Sequence, residues 1–188
     1  MTILEKYKHD LEVCLSAIDE DSITACANVY KKAWEQKKTI YVCGNGGSAS
    51  TASHVACDLN KGAVVDGVRR LRVVGLADNV AHFTALANDF DYSEIFVGQL
   101  KNWLEPGDVV IGISASGNSP NCVKAFEYAK EVGASTMGWL GFSGGKMKEL
   151  SDACIHLPCN EYGPVEDGHL IINHILTVVI KEWLSDQK

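Results

Sequence analysis

Four side chains in this sequence combine reactive chemistry with telling spacing. His54 and Asp58 lie four residues apart, shortly after the turn Gly44-Asn45-Gly46-Gly47. A helix opened by that turn, with Ser48 at its N-cap, carries an imidazole and a carboxylate on one face. Glu166 and His174 lie eight apart in the last apolar segment, close to a common helix face. Should both helices look into one crevice, the four groups form a two-histidine, two-carboxylate set. Such a set suits Zn²⁺ or a similar divalent ion, or alternatively acid/base work. Plainer readings stand beside this one: a surface i, i+4 pair, and a satisfied core histidine.

A second stretch offers anion chemistry. Ser114, Ser116 and Ser119 surround Gly117 in ISASGNSP and run into a helix, so hydroxyls and helix-start N–H groups can cradle a phosphate. The same residues can also simply cap that helix. Gly44, Gly46 and Ala49 match a dinucleotide fingerprint, but the nearest fitting acid, Asp78, comes well beyond the usual spacing, which ranks nicotinamide binding third.

The elements that must position these groups alternate between strand and helix. Apolar runs predict strands at Thr39–Cys43, Leu71–Leu76, Asp108–Ile113, Ser135–Leu140 and Cys154–Pro158. Helices are expected at about Ser48–Leu59, Asn79–Asn88, Ser93–Leu104 and from the serine turn to Val132, with a short one after Gly144-Gly145 and a last one from Pro164 to about Ser185. That pattern implies a doubly wound, five-stranded parallel sheet in the order 2-1-3-4-5, with both turns at its topological switch point. Residues 1–37 read as two helices, the first striped by Leu4, Tyr7, Leu11, Cys14 and Ile18, the second capped by Asp21 or Ser22. They can lie on their own domain or dock on another subunit.

One domain, residues 1–188, is expected at this length. With 46% hydrophobic and 22% charged residues, no apolar run long enough to span a membrane and no signal-peptide core, the chain reads as cytoplasmic. Seven irregularly spaced cysteines fit reduced thiols, and a net charge of -7 without a basic run argues against nucleic acid.

Taken in order, CGNGGS, His54 with an acid four positions on, Asn88-Asp89, ISASGNS and the helix bearing His174 resemble the sugar isomerase (SIS) domain of the phosphoheptose isomerases. The resemblance covers nearly the whole chain. It implies a homotetramer with sites near subunit contacts and a phosphorylated sugar substrate, most simply sedoheptulose 7-phosphate. Asn45, Gly46, Gly47, Asn88 and Asp89 would meet the sugar, Ser114, Ala115, Ser116 and Ser119 the phosphate. His54, Asp58, Glu166 and His174 would hold a divalent metal, most simply zinc, with Asp58 the base and His174 the acid. Five positions depart from it: Asp58 replaces a glutamate, Glu166 a glutamine, Ala115 removes one phosphate hydroxyl, and Gly62 and Gly163 stand for an arginine and an aspartate. A non-catalytic SIS protein that binds a sugar phosphate or a protein partner such as a replication initiator is the alternative.

Overall fold

A computed structural model describes residues 1–188. Five parallel strands, β1 (Ile40–Gly44), β2 (Val73–Gly75), β3 (Val109–Ser114), β4 (Ser135–Leu140) and β5 (Ala153–His156), form one sheet in the order β2-β1-β3-β4-β5, as the sequence predicts. Ile40 stands beside both Val73 and Val109, and Gly44 beside Ile113. Every residue of β1 and β3 is buried. Helices cover both faces, which is why these strands read as unbroken apolar runs.

The helices are α1 (Ile3–Ser16), α2 (Glu20–Glu35), α3 (Gly47–Cys57), α4 (Val80–Asp89), α5 (Val97–Trp103), α6 (Pro120–Val132), α7 (Gly145–Leu150) and α8 (Tyr162–Ser185). Side chains alternate across β1. Ile40 and Val42 enter a core shared with α2, α3 and α8, while Tyr41 and Cys43 enter another shared with α5, α6 and α7.

Several local expectations are corrected. The α2 cap is Asp19, whose Oδ1 accepts the Ser22 N–H at 2.7 Å, rather than Asp21 or Ser22. The second strand keeps only Val73–Gly75, the residues that find partners on Ile40–Val42 at the sheet edge. The α1 stripe is only partly covered within the chain: Cys14 is fully buried, Leu11 and Ile18 are half-buried, and Leu4 is 63% exposed.

The last helix, apolar on nearly every side in the sequence, is buried along one side through Val165, Ile172, Leu176, Ile180 and Leu184. Its other side leaves Val178 56% exposed. That helix also carries His169, fully buried, with neither ring nitrogen hydrogen-bonded. Burial pulls its pKa from 6.5 down to about 4, only partly opposed by the Leu140 backbone.

A depressed histidine value means that the unfolded chain takes the proton first as the pH falls. Stability from this group is therefore complete above about pH 6.5 and is lost on the way down to about pH 4, by roughly 3 kcal/mol at about 1.4 kcal/mol per pH unit. We expect urea midpoints to drop between pH 7 and pH 4 more steeply in the native protein than in a His169→Leu variant. Parallel pH dependences would contradict this.

Candidate active site

The ends of β1 and β3 lie side by side where the strand order reverses, so both motif turns open onto one crevice. Gly46, with φ 55, is the N-cap of α3, a left-handed conformation that glycine adopts without strain. Ser48, expected at the cap, lies instead inside the first turn with its side chain lining the crevice. At the other turn Gly117 has φ 64, and any Cβ there would collide with the Gly144 carbonyl. That loop therefore has only one workable residue at its apex.

Serines 114 and 116 are ordered by the loop's own backbone. Ser114 Oγ accepts the Gly117 N–H at 3.0 Å, and Ser116 Oγ accepts the Asn118 N–H at 3.2 Å. Ser119 caps no backbone group with its side chain, so its hydroxyl stays available beside the start of α6. Together with Asn45, Ser48 and Ala115 these residues line a cleft of about 120 Å³, closed on the α8 side by Tyr162 and Glu166. No lysine or arginine reaches it. An anion held here is held by neutral donors and helix-start amides.

The catalytic candidates converge at the C-terminal end of α3 and the middle of α8. Asp58 is where α3 gives way to a π-helical turn, Asp58–Gly62, closed by the Ala63 N–H on the Asp58 carbonyl at 2.9 Å. Its Oδ2 lies 3.2 Å from His54 Nε2 and 3.9 Å from His174 Nε2, while the two imidazoles meet edge to face at 5.3 Å between centroids. The buried amide of Asn173 donates to the same Oδ2 at 2.7 Å. Oδ1 is left free of these contacts. His174 is not the satisfied core histidine of the plainer reading: its side chain is 55% exposed, which keeps the group open to an incoming ligand.

Glu166 does not join this three-residue group. Eight residues of helix separate Cα atoms by about 12 Å and turn the side chain by about 80°. Its carboxylate accordingly rests against Gly47, near the start of α3, where the dipole favours negative charge. Asn88 and Asp89 stand apart too, hydrogen-bonded to each other at 2.9 Å on the exposed end of α4 and outside the serine cleft.

The three donors fit a divalent ion. Bonds of 2.0–2.2 Å to zinc put tetrahedral ligand atoms about 3.4 Å apart, and the two Nε2–Oδ2 separations bracket that value. Two imidazoles and a carboxylate are also the donor types that zinc takes in catalytic sites.

Sequence reasoning missed Tyr92, Asn121 and Asn173. A buried asparagine carries no motif. The available signals were an amide next to His174 in an apolar helix and another just after the Pro120 that opens α6.

The parallel sheet, the serine cleft and the acid–imidazole group define a protein of the sugar isomerase class, and the SIS domain family model matches residues 6–141. The phosphoheptose isomerase of Helicobacter pylori (strain Shi470) is 35% identical over 96% of this chain and 93% of its own length. That of a Nitratiruptor species is 39% identical over 80% of each. The solved structure of phosphoheptose isomerase from Neisseria gonorrhoeae superposes with a TM-score of 0.87 at 25% identity, over 96% of this chain and 97% of that one. The chain belongs to the phosphoheptose isomerase family. No helix in it is long and apolar enough to cross a membrane.

Proposed function

We propose that this protein interconverts sedoheptulose 7-phosphate and an aldose heptose 7-phosphate. The observation that carries this reading is that one pair of helices, α3 and α8, supplies both a wall of the anion cleft, through Ser48, Tyr162 and Glu166, and, further along, the carboxylate–imidazole group. The family's name supplies the substrate class.

The phosphate is taken to rest among Ser114, Ser116, Ser119 and the α6 amides, beside Ala115, with Asn45, Gly46 and Gly47 facing the sugar and Glu166 flanking the cleft. Asn88 and Asp89 stay part of this reading only as groups that reach the sugar from an exposed helix end. Asp58 Oδ1 is the oxygen free to remove the proton from C1 of the ketose. The C1–H pair becomes the C1–C2 double bond, and the C2 oxygen gains a proton to complete an enediol. Return of a proton to C2, as the C1 hydroxyl loses its own, produces the aldose. His174 serves as acid if its Nε2 holds a proton.

His54, Asp58 Oδ2 and His174 would hold a divalent ion, zinc by preference. Lewis-acid polarisation of a sugar oxygen is the chemistry such an ion supplies when bound. At Nε2 of His174, ligation and proton donation exclude each other, and a chelator separates the two roles.

We further read residues 1–188 as one SIS unit in a homotetramer. The exposed apolar residues of α1 and of the outer side of α8 support docking of other copies through the N-terminal helices.

The test is incubation with sedoheptulose 7-phosphate, with and without a chelator. Aldose heptose phosphate should accumulate. Chelation should slow it by about 10² or more, with recovery on adding zinc. Chelator-resistant turnover would remove the ion and leave His174 as acid. Absence of aldose from this or any other ketose phosphate would end the isomerase reading.

A further inference from the structure

Asn45, on the wall of the serine cleft, is clasped by two residues that belong to neither motif. Its Nδ2 donates to Asn121 Oδ1 at 2.9 Å, Asn121 Nδ2 donates back to Asn45 Oδ1 at 2.8 Å, and Tyr92 Oη lies 2.9 Å from that same Oδ1. The polarity of this clasp is dictated from one end. The Cys122 backbone N–H lies 2.9 Å from the Asn121 side chain. A backbone N–H can only donate, so the atom it meets must be the amide oxygen.

It follows that the other Asn121 atom is nitrogen, that the Asn45 atom facing it is oxygen, and that the Tyr92 hydroxyl gives its proton. Both lone pairs of Asn45 Oδ1 are thereby used. One N–H of Asn45 goes to Asn121. Apart from a 3.9 Å approach to Cys122 Sγ, a weak acceptor, the other is unclaimed.

From this we infer that Asn121 and Tyr92 are positioning residues that lock Asn45 as a pure donor, presenting one N–H to an acceptor oxygen of the bound sugar phosphate. The inference deepens the sugar-phosphate reading and rests on it for the identity of the guest. Asn121 is 1% exposed and reaches the cleft only through Asn45, whereas Tyr92 is half exposed. In a cleft without lysine or arginine, a donor of fixed polarity selects an oxygen-rich guest and gives nothing to a group that can only donate, such as an ammonium.

The test is Asn121→Asp in the full-length protein. The introduced carboxyl keeps the shape and still accepts the Cys122 N–H. When ionised, it sets an oxygen against Asn45 Oδ1, and turning the Asn45 amide over only moves that repulsion to the other carboxylate oxygen, so the clasp opens and Asn45 is no longer held with its N–H toward the cleft. When protonated, its O–H takes over the donor role. Other ionisable groups around the clasp are Tyr92, Cys122 and Cys43 beneath it, and Glu166 across the cleft. Cys43 is pushed well above the ordinary thiol value by its hydrogen bond with Cys122 and by burial. All four are unchanged in the variant, so the native pH profile serves as the control.

For Asn121→Asp we expect KM for sedoheptulose 7-phosphate to be near native at low pH and to rise by about 10-fold to 100-fold as the new carboxyl ionises, with kcat changing much less. Tyr92→Phe should raise KM a few-fold at every pH. In ¹⁵N-labelled protein, the Asn45 side-chain amide resonance, assigned by its loss in Asn45→Ser, should move with pH in the variant and stay fixed in the native chain. The resonance reads the clasp without turnover, so it separates failure of this inference from failure of the isomerase reading. An Asn45 resonance indifferent to pH in Asn121→Asp, or native KM values in both variants of an active enzyme, would overturn it.

Discussion

Turnover of sedoheptulose 7-phosphate should fall by about 10² to 10⁴ in a His174→Ala variant, the range set by loss of a positioned acid or base. The fold should hardly notice. The His174 side chain is 55% exposed and its close neighbours are His54 and Asp58, so no core cavity opens. Progress curves give the rate, and thermal unfolding with sedimentation gives fold and assembly. Native turnover in a folded variant would remove His174 from the chemistry, whichever role its Nε2 plays.

Asp58→Asn should cost as much or more, about 10³ or beyond, because the carboxylate is both the proposed proton acceptor and the anionic member of the donor set. Asparagine has nearly the same shape, and its oxygen can still accept the Asn173 amide that now reaches Asp58 Oδ2 at 2.7 Å. A loss of rate without a loss of stability is therefore expected, together with less zinc retained per chain. Rate and zinc content both equal to the native values would refute the assignment of Asp58 to either task.

The difference between what the sequence discloses and what it hides follows from the range of each signal. β3 and β4 are legible because apolar runs lie between turn residues, and the buried register agrees with them. His54 and Asp58 are legible as a pair because helical spacing is local, and the structure keeps them 3.2 Å apart. Glu166 is different. Its expected face rests on an eight-residue offset, and the accumulated rotation sends it to Gly47 and the serine cleft rather than to His174's neighbours.

Exposure of α8 is likewise hidden. Val178 and Ile172 read alike in the sequence, but only one of them meets the sheet. The amides of Asn121 and Asn173 are the least legible. Their importance lies in partners 76 and 115 residues away, a distance over which no spacing rule operates.

The proposed reaction is a proton transfer between C1 and C2 of a sugar held by its phosphate, and heavy water reports on that transfer. Sedoheptulose 7-phosphate incubated with the protein in D₂O should give aldose carrying deuterium at C2, and His174→Ala should give almost none in the same time. No aldose at all with the native protein, or undiminished deuterium uptake and turnover in His174→Ala, would contradict it.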